Sequence, residues 1–107
     1  MLARPDTARG ELLFLALATC YCNDVYREAA ALGIDVRGIA VEVEGAFGGI
    51  GEPATNVSYR AKVTVAGASA EDARHLLERT DEVAEVQNSL RAGVPVRLST
   101  IDVEIVA

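Results

Sequence analysis

Glu11-Leu12-Leu13-Phe14-Leu15-Ala16-Leu17-Ala18-Thr19-Cys20-Tyr21-Cys22-Asn23-Asp24-Val25 opens the longest helical stretch of the chain, and its reading decides the fold. The run continues through Tyr26-Arg27-Glu28-Ala29-Ala30-Ala31-Leu32, and Gly33 follows in the position of a C-terminal cap. Its first half is apolar on every side, which predicts a helix buried all round. Its second half regains a polar face through Asp24, Arg27 and Glu28. The helix should therefore run through the core and emerge toward solvent.

Working outward, Ile39, Val41 and Val43 alternate with Ala40, Glu42 and Glu44, the pattern of a half-buried strand over residues 36–44. Residues 45–55 hold Gly45, Gly48, Gly49, Gly51 and Pro53, and read as a flexible connection. A second strand follows over Val57–Val65, its odd positions inward, so the two strands should form an antiparallel hairpin. Ser69 with Asp72 three residues on reads as a helix start, and Ala73, Leu76 and Leu77 form its apolar stripe. Thr80-Asp81-Glu82 reads as the restart of a shorter helix carrying Val83, Val86 and Leu90, ended by Gly93 and Pro95. The last strand covers Val94–Val106. Its inward set changes register between Leu98 and Ile101, which predicts a bulge near Ser99-Thr100. The expected architecture is α+β, a single domain over 1–107 in the order α-β-β-α-α-β, with a long buried central helix packed on an antiparallel sheet. Residues 1–10 read as irregular.

Composition narrows the function. The chain has 107 residues, half of them hydrophobic, enough for one core without staples. Ten Lys and Arg against 16 Asp and Glu give a formal charge of −6, which argues against a protein that tracks phosphate backbones. No basic amphipathic stretch suits a membrane surface. Residues 12–18 resemble the apolar centre of a signal peptide, with Leu17-Ala18-Thr19-Cys20 as a crude cleavage site. Asp6 and Glu11 offset Arg4 and Arg9, however, where export wants net positive charge. The expected setting is cytoplasmic and reducing.

Two cysteines and one histidine are too few for a disulfide framework or a structural zinc site, and no cofactor motif is present. Gly48-Gly49-Ile50-Gly51 lacks the Lys-Ser/Thr of a phosphate loop and lies between two strands. His75 falls on the polar face of its helix. Cys20 and Cys22, two apart on a helix, point to roughly opposite sides. Cys20 lies mid-helix, where the dipole helps a thiolate little; Asp24 at i+4 opposes one, and Arg27 at i+7 offsets this only in part. On these residues alone, inert buried thiols and reactive ones both stand.

The segment Glu11–Cys20 resembles the central helix of the OsmC/Ohr superfamily, written ELLLAALAxC, and Asn23-Asp24-Val25 resembles the Cys-x-x-x-Asp-Val form of one branch. Val41-Glu42-Val43-Glu44-Gly45 is similar to the family's strand ending, and Val86-Gln87-Asn88-Ser89-Leu90 to its second signature, Cys-Pro-Val-Ser-Asn-Thr/Ser-Leu. The likeness spans residues 11 to about 105. It implies an intertwined homodimer that reduces organic hydroperoxides through a peroxidatic cysteine, resolved by a second cysteine and activated by an Arg and a Glu. Carried over by position, Cys20 is the peroxidatic cysteine and Glu11 the activating Glu. The departures are as plain. Ala84 stands where the family has its second cysteine, and Glu85 where it has Pro. The N-terminal strands that carry the activating Arg have no counterpart in the ten residues before Glu11, where only Arg4 and Arg9 are available. Cys22 is a secondary thiol with no family counterpart.

The resemblance thus leads to two expectations. One is thiol-dependent reduction of an organic hydroperoxide at Cys20, with an external thiol or Cys22 as resolver. The other is a non-catalytic dimeric scaffold or binder of a small apolar ligand. In both, the apolar run 12–18 should be covered by a second copy of the chain. A third reading, metal or persulfide handling by the Cys-x-Cys pair, lacks ligands.

Overall fold

The computed structural model describes residues 9–107, Arg9 by its backbone alone. Its elements are α1 (Arg9–Leu32), β1 (Asp35–Phe47), β2 (Ala54–Ala66), α2 (Ala70–Val83), α3 (Glu85–Arg91) and β3 (Val96–Val106). The expected α+β order is the observed one.

Three strands form one sheet in the order β1-β2-β3. β1 and β2 are the expected antiparallel hairpin, in a register that sets Val41 against Ala61 and Val43 against Tyr59. β3 joins β2 in parallel, so the sheet is mixed and not wholly antiparallel. The reason is the α2–α3 crossover, which carries the chain back along the sheet before β3 begins. The register slips where Tyr59 faces Leu98 but Arg60 faces Thr100, which makes Ser99 the bulged residue. Its hydroxyl donates to the Tyr59 carbonyl at 3.2 Å.

One sheet face is apolar. Val57, Tyr59, Ala61, Val63 and Val65 of the central strand are all buried, flanked by Val41 and Val43 on one side and Ile101 and Val103 on the other. The opposite face is charged, with cross-strand pairs Arg60–Glu42 at 3.4 Å and Lys62–Glu104 at 3.8 Å. The helices cover only the apolar face.

α1 presents Leu17, Tyr21, Val25 and Ala29 to this face, one residue every four, as a helical stripe requires. The expectation that its first half is buried all round fails in the single chain. Leu12 is 43% and Leu15 61% exposed, because the sheet covers one side of the helix and nothing among the described residues covers the other. Phe14 does find a partner, stacking on Phe47 with ring centroids 6.1 Å apart. That contact requires glycine opposite: a Cβ on Gly45 would lie 2.9 Å from Phe14 Cζ.

The start of α2 is as read, with Ser69 as N-cap and a full capping box to Asp72. The restart expected at Thr80-Asp81-Glu82 falls instead at Ala84, whose backbone is extended (φ −71°, ψ 109°). Thr80 does not cap because its hydroxyl donates to Leu76 one turn back, at 2.7 Å. The last carbonyls of α2 are instead taken by side chains from α3: Arg91 bonds Asp81 O at 2.9 Å and Asn88 bonds Glu82 O at 2.9 Å.

Candidate functional site

Cys20 lies on the flank of α1 that meets the α2–α3 junction, half-buried and with a free thiol. Its Sγ donates to Asp24 Oδ2 at 3.3 Å, the one-turn contact that the i, i+4 spacing provides. Asp24 is only 7% exposed. Its other oxygen, Oδ1, lies 3.3 Å from the Arg27 guanidinium, which in turn bonds Glu85 of α3 at 2.8 and 3.1 Å and Glu28 at 2.9 Å. Arg27 thus ties α1 to α3 beside the thiol across 58 positions of sequence. Periodicity in the sequence places Arg27 near Cys20 but carries no sign that Glu85 completes the group.

The electrostatics keep the thiol protonated at rest. Burial pushes the Cys20 thiol above its ordinary range. A backbone hydrogen bond from Val86 pulls it down, but the bond to Asp24 and the charges of Asp24 and Glu85 push it up again. Burial also raises Cys22. Cys22, on another side of the helix, is free and half-buried, so no disulfide joins the pair.

The donor atoms of Cys20, Asp24 and Glu85 lie within 4.8 Å of one another. Such a cluster has the composition of a cation site, and the cation it holds is the Arg27 guanidinium, bonded to both carboxylates.

Glu11 stands apart. It is exposed in the first turn of α1, at a shallow groove that Phe14, Leu15, Ala18, Val41 and Val43 also line. Nine residues separate it from Cys20, about 13.5 Å along a helix. One chain does not bring the two together. Arg4 and the side chain of Arg9 lie outside the described residues. Ala84 is fully buried at the break between α2 and α3, beside the Glu85 and Val86 that flank the thiol, so the place of the family's second cysteine is retained without its sulfur.

Three residues of the second signature hold the corner together. Gln87 is fully buried and its amide donates to Leu17 O of α1 at 3.2 Å. Asn88 caps α2, and Ser89 donates to Glu85 O at 2.8 Å. The Gln87 Oε1 atom has no partner among the described residues.

Fold and site together define a small two-layer α+β protein with a free cysteine on its central helix, flanked by a carboxylate and an arginine. A family model described as OsmC-like protein matches residues 9–99. The chain belongs to the OsmC-like family. No curated protein matches the sequence. Among solved structures, it is similar to an OsmC-like protein from Mycoplasma pneumoniae (TM-score 0.72, 15% identity, covering 90% of this chain and 70% of that one). It is similar also to an organic hydroperoxide resistance protein from Elizabethkingia anophelis (0.67, 22%, 94% and 71%). A hypothetical protein from Aquifex aeolicus VF5 superposes with TM-score 0.81 at 12% identity, over 98% of this chain and 80% of that one. At these identities the likenesses show the shared fold. Among the described residues, no helix is long and apolar enough to cross a membrane.

Proposed function

We propose that the protein reduces organic hydroperoxides through Cys20, with an external low-molecular-weight thiol as reductant. The observation that carries this reading is the placement of the Cys20 thiol: free, partly open to solvent, and bonded to Asp24 beside the Arg27 guanidinium. In the reaction, Sγ attacks the terminal peroxide oxygen, an S–O bond forms and the O–O bond breaks. The alkoxide leaves as an alcohol after taking a proton, sulfur loses two electrons and the product is a sulfenic acid. Ala84 supplies no second thiol and Cys22 points elsewhere, so two molecules of external thiol reduce the sulfenic acid through a mixed disulfide. This chemistry suits a reducing, cytoplasmic setting.

The same reading includes a homodimer. Leu12 and Leu15 remain exposed on α1, and Phe47 and Ile50 on the hairpin, an apolar patch that a second copy would cover. Glu11, too distant from the thiol of its own chain, would act on that of the partner. Sedimentation should show a dimer, and Leu15→Glu should weaken it.

Incubation with cumene hydroperoxide and a sulfenic-acid trap should place the adduct on Cys20 by mass spectrometry. A Cys20 that stays unmodified at moderate excess overturns the assignment. A second reading, a non-catalytic scaffold or binder of a small apolar ligand, is favoured by the raised Cys20 thiol and by Ala84. It requires that Cys20→Ser leave the biological role intact.

A further inference from the structure

Resting on the peroxidase reading, we propose that Asp24 is a catalytic residue, the acceptor of the Cys20 thiol proton and its donor to the departing alkoxide, with Arg27 as the positioning residue that holds it.

The argument begins from the burial of Asp24. A carboxylate that is 7% exposed loses most of its hydration and persists only with strong partners. In the interior of a helix the backbone N–H groups are already bonded, so Asp24 caps nothing. Its partners among the described residues are the Cys20 thiol at 3.3 Å and Arg27 at 3.3 Å. Each of its two oxygens is thereby assigned, one to sulfur and one to the guanidinium. Asp24 therefore spends its burial on the thiol rather than on the helix.

The charged groups facing this corner are few. α1 contributes Asp24, Arg27 and Glu28, α3 contributes Glu85, and α2 contributes Arg79, which lies 3.8 Å from Glu28. Of these, Asp24 alone bonds sulfur. Glu85 and Glu28 hold the Arg27 head from the solvent side and so fix its reach toward Oδ1.

The resting thiol is protonated, so it must lose its proton as sulfur attacks. The S–H bond already points at Oδ2. As the S–O bond forms and the O–O bond breaks, the proton passes to Oδ2 and from there to the alkoxide. Having passed the proton on, Asp24 ends the step as it began. General acid–base transfer of this kind contributes about 100-fold to 10,000-fold in other enzymes.

The proposal separates two effects of one carboxylate. At rest Asp24 opposes the thiolate, so a reagent that needs only thiolate should react faster without it. A hydroperoxide, whose leaving group needs the proton, should react more slowly. Wild type, Asp24→Asn, Asp24→Glu and Arg27→Gln would each be treated at pH 7 with iodoacetamide and, separately, with cumene hydroperoxide. Modification of Cys20 would be followed by peptide-resolved mass spectrometry, which keeps Cys22 apart. Asp24→Asn should raise the alkylation rate and lower the peroxide rate by about tenfold or more. Asp24→Glu should recover part of the peroxide rate. Arg27→Gln leaves the carboxylate but removes the nearby positive charge, so both rates should fall. A merely structural role for Asp24 would move the two reagents in the same direction.

If Asp24→Asn speeds both reactions or leaves both unchanged, the proton-transfer role is overturned and the peroxidase reading stands. Should Asp24→Asn fail to fold, judged by circular dichroism, Arg27→Gln carries the test, and unchanged rates there overturn the proposal. A folded wild type whose Cys20 is alkylated but never oxidised by the hydroperoxide overturns both.

Discussion

The molecule contains two Asp–Arg pairs built in opposite ways. Asp81 and Arg91 join α2 to α3 at the sheet. The carboxylate also receives the Tyr59 hydroxyl from the central strand, and Arg91 bonds the carbonyls of Val96 and Asp81 at 3.0 and 2.9 Å and Asn88 Oδ1 at 2.8 Å. Both side chains are about three-quarters buried. Asp24 and Arg27 sit at the other flank, where the arginine is nearly half exposed and its close partners are carboxylates, with one longer bond of 3.5 Å to the Val83 carbonyl. In the first pair the guanidinium satisfies backbone carbonyls that the fold leaves open, so it fastens elements together. In the second it balances charge beside a thiol. The same two residue types thus stand in different settings, one among buried backbone carbonyls and the other mainly among carboxylates beside a thiol.

The largest effect should come from breaking the structural pair. Asp81→Ala strips Tyr59 and Arg91 of their common partner, and unsatisfied groups of this kind cost about 1–3 kcal/mol each. Asp24→Ala removes a costly buried carboxylate and places a good helix former in α1, so its cost should stay within about 1 kcal/mol. Urea unfolding of both variants measures the contrast. Equal losses would erase the distinction drawn between the pairs.

Alkaline titration sharpens it next. Burial raises Tyr21, Tyr59, Cys20 and Cys22, and Asp81 adds to the rise at both tyrosines. An acid whose folded pKa lies above its unfolded value stabilises the fold below the unfolded value, 9.0 for the thiols and 10.0 for the tyrosines, and loses that contribution as pH climbs through the folded one. Stability should therefore be flat near neutral pH and fall above about pH 9. Tyr59→Phe should flatten this fall more than Cys20→Ser, because both groups meet a carboxylate but Tyr59 lies much deeper. Chemical denaturation at pH 7 and pH 10 gives the comparison, and an equal response from the two variants would contradict it.

The two regions were also unequally legible in the sequence. The fold is written in local patterns: the long apolar helical run of α1 closed by Gly33, the alternation of β1 and β2, the Ser69 cap and the bulge near Ser99-Thr100. Burial of α1 was overread, since apolar residues on every side do not say whether the cover comes from the same chain. The parallel entry of β3 was missed because strand direction depends on how the crossover returns, which no local pattern records. At the site, Cys20 and Asp24 were readable as helix neighbours one turn apart. In the sequence Glu85 stands out only as a departure from the family signature. Its bond to Arg27 is made across 58 residues, just beyond the helix break at Ala84. Asp81, which the sequence offered as a helix start, is instead the centre of the Tyr59–Arg91 group.

The smallest expected effect tests the charge pair at its arginine. Lysine keeps the charge but loses the planar fork that meets several acceptors at once. At position 91 the fork holds three carbonyl-type acceptors and a carboxylate, so Arg91→Lys, with three donors on one nitrogen, leaves at least one of them unpaired, at a cost of about 1–2 kcal/mol. At position 27 the acceptors are mainly carboxylates, Asp24, Glu28 and Glu85, with the Val83 carbonyl at 3.5 Å, and the guanidinium itself is nearly half exposed, so a point charge is an adequate partner. Exposed pairs of this kind contribute about 0–1 kcal/mol and are screened by salt. Arg27→Lys should therefore change stability by less than about 0.5 kcal/mol, and that difference should shrink further in 0.5–1 M salt, of the order where screening lengths fall to about 3 Å. The loss at Arg91→Lys should survive the same salt, because its bonds to Val96 and Asp81 carbonyls are partly buried and uncharged on the acceptor side. A salt-insensitive loss at Arg27 would mean that its bonds, like those of Arg91, hold the fold rather than the charge beside Cys20.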